Sequence, residues 1–442
     1  MFIKNSVLLF ASLVFYAWGG VQYLIVLLVL ILINFLVGKK ISTTKHRKSF
    51  LALGVGVNLL TLGFFKYFNF FIANIEFVLS KVSGQVVDLN MPYIPLPIGI
   101  SFFIFQIMSY LIDVYRNDVP VQKNIEKLAL YIMMFPQLIA GPIVRYADVN
   151  VSVEQRSTTL TQFEQGIQRF ILGFFKKVLI ANSMGSMADI VFSLNGQFST
   201  VYAWLGAICY SLQIFFDFSA YSDMAIGLGH VFGFHFNENF NYPYISKSIQ
   251  EFWRRWHISL STWFKDYVYI PLGGSRKGEG RTYINLFIVF LLTGFWHGAA
   301  WQFVIWGLYH GVFLIIERLG LGKVLKKGPR FISHFYALFV VIIGWVFFRA
   351  DNISIALNYI KNMLVFNIGN LQERTVVLGL NNIFFFSLIL GLLLCTPVKN
   401  LFRNVKIIQN ETLRRIFYLA LWCTSVIYMV GLSYNPFIYF KF

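Results

Sequence analysis

Charge is scarce in this chain: only 13% of its 442 residues are Asp, Glu, Lys or Arg, where a soluble protein carries about a quarter. That shortage excludes a soluble globular protein of this length. Cysteine is scarcer still. Cys209, Cys395 and Cys423 lie in apolar surroundings without paired spacing, so neither a disulfide framework nor a zinc site is expected. A phosphate-cradling glycine loop, a zinc-binding pair and a GxSxG elbow are also missing, which leaves no signature of the common soluble hydrolases and nucleotide binders. No internal repeat is visible, which weighs against transporter folds built from duplicated halves. No polar stretch is long enough to make a soluble domain, so a single membrane-embedded domain over residues 1–442 is expected. No small-residue cleavage site follows the first apolar run, and the N-terminus reads as a retained anchor.

Apolar and aromatic side chains fill the space that charge leaves, at 57% and 19% of the chain. The apolar runs predict an all-α polytopic membrane protein. Residues 6–37 form one block interrupted at Gly19-Gly20, which reads as a tight hairpin of two short helices. Further runs lie at about 50–80, 97–115, 127–144, 166–194, 200–234, 284–317, 333–348, 375–397 and 414–434. Several are too long for one span and too short for two, so about 11 tilted spanning helices are expected, with re-entrant segments between them. The net charge of +18 falls in the loops, with basic clusters at 39–48, 247–281, 318–330 and 399–415. That is the positive-inside pattern rather than a nucleic-acid footprint. Chaining orientation from these loops places the tail from Asn435 to Phe442 on the outer side of the membrane.

Against this apolar background Trp296-His297-Gly298 is conspicuous. An ionisable residue at membrane depth is costly and is a functional candidate by default. With a helix start near Tyr283, about 1.5 Å per residue places His297 roughly 20 Å deep. Gly294, Gly298, Ala299 and Ala300 surround it with small side chains, which either permit close helix packing or leave room for a ligand. A neutral imidazole suits abstraction of a hydroxyl proton, and a core histidine bonded to a carbonyl is the plainer alternative. A second histidine, His257, closes the string Trp253-Arg254-Arg255-Trp256-His257. Residues 247–267 predict one amphipathic helix lying along the membrane surface, with Ser248 and Glu251 at capping-box spacing. His257 sits at the edge of its apolar stripe, either snorkelling or turned into a cavity. Asp217 and Asp223 stand roughly 120° apart on a helix, so each reads as a structural partner rather than half of a carboxylate pair. Phe135-Pro136-Gln137 and Gly141-Pro142 break a helix within an apolar run, and Pro92, Pro95 and Pro97 mark a loop entering the membrane.

The string Trp253 to His257, then Ser259-Leu260-Ser261-Thr262-Trp263-Phe264-Lys265-Asp266-Tyr267 and Ile270-Pro271-Leu272-Gly273-Gly274, resembles the membrane-bound O-acyltransferases, in particular their alginate O-acetylation group. The likeness continues through Thr293 to Trp301, Pro97 to Phe102 and Phe135 to Pro142. It implies a ring of tilted helices around a tunnel, in the plasma (inner) membrane, with acetyl-coenzyme A as cytoplasmic donor and no bound cofactor or metal. His297 matches the family's catalytic histidine and His257 its second signature histidine, at the cytoplasmic side of the tunnel. Trp253, Arg254, Arg255, Trp256, Trp296 and Gly298 are expected to line the tunnel and bind the donor. The acceptor would be a cell-envelope polysaccharide, reached through a separate extracytoplasmic acetyltransferase of the SGNH type. The tail Phe437-Ile438-Tyr439-Phe440 resembles the aromatic C-terminal motif of the small partner of the teichoic-acid D-alanyl transferase, which implies Tyr439 as an acyl relay. An aromatic belt anchor is the alternative for Tyr439. Rival functions are a D-alanyl transferase of the teichoic-acid type and, from another class, a transporter or flippase.

Overall fold

The computed structural model describes residues 1–194, 198–368, 374–398 and 410–431, and among them there are helices, turns and irregular segments but no strand. An all-helical membrane protein is what the apolar runs predict. Among the described residues six helices are long and apolar enough to cross a membrane: Val21–Thr43, Arg47–Ser83, Thr200–Val231, Trp301–Lys327, Arg330–Arg349 and Glu411–Val430. Phe2–Trp18 and Asn382–Leu394 are shorter apolar helices. Other apolar runs fold as helices that length and hydropathy do not single out, such as Ile100–Arg116, which buries Ser101, Gln106, Ser109 and Asp113. The chain divides into two compact units.

The first unit comprises Met1–Phe163, Gly229–Asn237 and Gly298–Ala300. Helices Phe2–Trp18 and Val21–Thr43 meet at the Gly19-Gly20 hairpin anticipated from sequence, where Gly20 takes φ 137°, a conformation that suits glycine. Val21–Thr43 and Arg47–Leu62 are joined by a reciprocal amide pair. The Asn58 side chain donates to Asn34 Oδ1 at 2.7 Å, and Asn34 donates back at 3.3 Å. Both asparagines are fully buried, so each supplies the partner the other needs away from water. The proline-rich stretch around residue 136 is irregular, as its sequence predicts, with only Phe135–Leu138 forming a helical turn. Gln137 and Tyr131 satisfy the freed backbone there: Gln137 Nε2 donates to Tyr131 O at 2.7 Å and Tyr131 Oη to Val144 O at 3.0 Å. Arg156 holds the return segment, donating to Phe232 O at 2.9 Å and lying 4.4 Å over the Phe234 ring.

The second unit comprises Glu164–Leu228, Glu238–His297 and Trp301–Phe442. Both aspartates of the Thr200–Val231 helix serve as structural partners rather than as a carboxylate pair, as their spacing suggested, and both are ion-paired. Asp217 pairs with Lys177, and Asp223 is held by Lys176 at 2.8 Å and Arg169 at 2.9 Å. Helices Glu279–His297 and Trp301–Ile316 form a hairpin in which backbone meets backbone. A Cβ at Gly294 would run into the carbonyl oxygen of Phe303, and one at Gly307 into that of Phe290. The small residue at 294 therefore serves close packing; it does not leave a space for ligand.

The expected single helix over 247–267 is a different object. It is two short helices, Ile249–Arg255 and Ile258–Phe264, separated at Trp256 and His257, with His257 in the left-handed region at φ 43° and ψ 55°. The apolar stripe that suggested a surface helix (Ile249, Phe252, Trp253, Trp256, Leu260, Trp263 and Phe264) is buried throughout. Its periodicity records packing within the protein.

Gly294→Ala is expected to lower the melting temperature of the detergent-solubilised protein sharply, because the atoms a new Cβ would meet are backbone and cannot swing aside. Gly56→Ala, whose Cβ would meet nothing within 4 Å, is expected to be neutral or slightly stabilising. Equal melting temperatures for the two variants would contradict the hairpin contact.

Candidate active site

The second unit gathers three histidines into one aromatic enclosure. His297 is the last residue of Glu279–His297 and is 3% exposed. The helix starts at Glu279, ahead of the expected Tyr283, and its 19 residues span about 28 Å, so His297 stands at the far end of the helix rather than part-way along it. Its ring makes edge-to-face contacts with Trp306 at 4.9 Å, Trp296 at 5.0 Å and Phe348 at 5.2 Å. Gly298, also buried, follows it, and the next helix begins at Trp301.

His257 is wholly buried and fixed by a loop residue. The side-chain oxygen of Asn239 lies 3.2 Å from His257 Nδ1, and it accepts from Ser259 N at 3.2 Å and Ser259 Oγ at 2.9 Å. The backbone oxygen of Asn239 accepts from Ile258 N at 2.9 Å. The opening turn of the Ile258–Phe264 helix is thus satisfied by one asparagine. Burial pushes the His257 imidazole down to about 3, so it is uncharged at neutral pH. As the pH falls below about 6.5 the unfolded chain takes up a proton that this position refuses, and its contribution to stability is lost progressively towards pH 3.

The two anticipated histidines are brought together through Trp296, whose ring lies 5.9 Å from His257 and 5.0 Å from His297. The other expected site residues divide by type. Trp253 packs on Trp306 at 5.6 Å, and Trp256 on Trp345 at 4.8 Å. Arg254 is exposed, and Arg255 pairs with Glu251 at 2.9 Å and donates to Asn241 O at 3.1 Å. The aromatic members of the string turn inward and its cations stay at the edge. Tyr439 lies outside the described residues.

His310 was not anticipated. It is fully buried, 5.2 Å from Trp306 and 5.3 Å from Trp253, with no hydrogen-bond partner for either ring nitrogen among the described residues. Gly344 leaves it room, since a Cβ there would stand 2.7 Å from His310 Nε2. The available sequence signal was spacing: His310 lies one helical turn after Trp306 in the same apolar run as His297. Asn239, Trp345 and Phe348 were likewise not anticipated; each comes from a segment distant in sequence.

An enclosure of this kind excludes water while offering imidazole lone pairs. Indole and phenyl rings also stabilise an imidazolium when one forms, since their faces attract cations. That combination suits proton transfer from a hydroxyl in a dry setting. The start of the Ile249–Arg255 helix, which carries Trp253, is set by Glu317. Its carboxylate accepts from Ile249 N at 2.6 Å and Gln250 N at 3.0 Å, while Ser248 Oγ accepts from Glu251 N at 3.0 Å.

The membrane-bound O-acyltransferase family model matches residues 121–359. The chain is 42% identical to a probable alginate O-acetylase of Pseudomonas putida, over 99% of this chain and 94% of that protein. It is 37% identical to a peptidoglycan O-acetyltransferase of Helicobacter pylori, over 81% of this chain and 73% of that protein. A teichoic acid D-alanyltransferase of Bacillus subtilis is 34% identical over 49% of this chain and 58% of its own length.

Glu317→Ala strips the acceptor from two helix-opening N–H groups, and the buried one, of Ile249, costs about 1–3 kcal/mol when left unpaired. A clear drop in melting temperature is expected, with Glu317→Gln, which keeps one acceptor, falling between. An unchanged melting temperature for Glu317→Ala would rule out this cap.

Proposed function

The chain belongs to the membrane-bound O-acyltransferase family, and from that premise we propose that it takes an acetyl group from cytoplasmic acetyl-coenzyme A and passes it across the plasma (inner) membrane for O-acetylation of an extracytoplasmic polysaccharide. The observation that carries this reading is the convergence of His257 and His297 on Trp296 inside a water-excluding aromatic shell. His297 acts as the general base. It takes the proton of an acceptor hydroxyl as that oxygen attacks the thioester carbonyl, the new O–acyl bond forms, the carbon–sulfur bond breaks, and the proton passes on to the leaving sulfur as coenzyme A is released. His257 stands on the donor side, enclosed by Phe218, Phe240 and Trp296, with Arg254 and Arg255 at the edge to meet the anionic part of the donor.

A thioester of that size and charge does not cross a bilayer, whereas an acetyl group handed from donor to acceptor within the protein does. Tyr439 is the proposed first acceptor on the outer side. A phenyl ester stays activated, so a separate extracytoplasmic acetyltransferase can move the group on to polymer. Acetyl is favoured over D-alanyl because the named acetylating relatives align over far more of the chain than the D-alanyltransferase does.

Membranes containing the protein and supplied with acetyl-coenzyme A are expected to release free coenzyme A thiol, and His297→Ala is expected to reduce that release by about 100-fold or more, within the range a positioned base contributes. Wild-type membranes that acetylate polymer without consuming acetyl-coenzyme A would overturn the donor assignment. Tyr439→Phe keeps the ring and removes the nucleophile, so polymer acetylation should fall to background. Full retained acetylation would eliminate the relay.

A further inference from the structure

Asn239 carries a second message beyond holding a helix end. Its amide orientation is settled by the backbone: Ser259 N–H can only donate, so the atom 3.2 Å from it is the Asn239 oxygen. The same oxygen faces His257 Nδ1 at 3.2 Å, and Ser259 Oγ, 3.4 Å from that nitrogen, gives its own hydrogen to the Asn239 oxygen at 2.9 Å, so the ring nitrogen carries the hydrogen. The amide's other end is also occupied, with Asn239 Nδ2 donating to Ser222 Oγ at 3.1 Å, which keeps it from flipping. In an uncharged imidazole the remaining nitrogen, Nε2, is then a bare lone pair, and it has no hydrogen-bond partner among the described residues. The ring cannot turn away. The Phe218 ring stands edge-to-face against it at 4.6 Å, and its backbone is in the left-handed region just ahead of a helix pinned by the same asparagine.

We infer that Asn239 is a positioning residue that locks His257 in the Nδ1–H tautomer, so that Nε2 serves as the hydrogen-bond acceptor for an N–H or O–H group of the acyl donor. This rests on the reading of His257 as a donor-side residue of the acyl transfer. A mere space-filling histidine would need neither a fixed tautomer nor an oxygen already bonded to Ser259. Each titratable group on the packed elements is engaged elsewhere or set apart. Asp217 and Asp223 pair with Lys177, Lys176 and Arg169; Glu238 pairs with Arg169; and Glu251 pairs with Arg255. His297 faces His257 across Trp296, and Lys265 and Asp266 follow on the adjoining turn. Burial alone accounts for the depressed affinity of His257 for a proton.

Asn239→Asp is the test, because it preserves shape while placing a carboxylate beside Nδ1–H. A carboxylate there favours the imidazolium and raises its proton affinity by about 1–3 units. Protonation fills Nε2, so coenzyme A release from acetyl-coenzyme A should gain an acid limb absent from wild type, with near-normal rates above it. A uniform loss at every pH, or no loss at any pH, would overturn the inference. Selective ¹⁵N labelling of histidine in the wild-type protein gives a check independent of any variant: His257, assigned by its absence in His257→Ala, should show a protonated Nδ1 and bare Nε2, and the opposite tautomer would overturn it. Failure of the underlying reading looks different. His257→Ala would then release coenzyme A at the wild-type rate, whatever tautomer the spectrum shows.

Discussion

A helix that stops inside an apolar setting frees backbone N–H and C=O groups that water cannot reach, and this requirement governs where the chain bends. Two helix starts near the aromatic enclosure are each answered by one polar residue from elsewhere. Glu317 receives the first N–H groups of Ile249–Arg255, and Asn239 receives those of Ile258–Phe264. The bend between these helices turns Trp256 and His257 into the interior. The buried His257 is therefore held by the solution to a backbone problem.

The parts of this arrangement that are legible in sequence are those set by neighbours. The Gly19-Gly20 hairpin, the irregular stretch around Pro136 and the separation of Asp217 from Asp223 around their helix all follow from residues close in the chain. His297 was conspicuous because polar side chains are rare in its run. The break at His257 was not legible, since it depends on Asn239, 18 positions earlier, and no local pattern distinguishes a stripe that meets lipid from one that meets protein. His310 is not singled out although it shares that run. It stands late in the same apolar run, one turn from Trp306, and only the tertiary packing of Trp253 and Gly344 marks its ring as part of the enclosure.

Family membership adds chemistry to this geometry, and the geometry in turn divides labour within the signature string. The tryptophans build walls. The arginines stay at the edge, Arg254 exposed and Arg255 paired with Glu251, and the histidines occupy the buried interior. A single indole, Trp296, is common to the two histidines on which the proposed transfer depends.

The contact between Gly294 and Gly307 has a consequence for aim. Two helices that touch through side chains can roll about their axes by exchanging rotamers, but two that touch through bare backbone have nothing to exchange. Advancing the Glu279–His297 helix by a single residue would turn it by about 100° and bring Thr293 or Phe295 to the point of closest approach, where neither fits. The azimuth of His297 is consequently a discrete quantity. One setting of the hairpin is allowed, and it faces the imidazole toward Trp306 and Phe348.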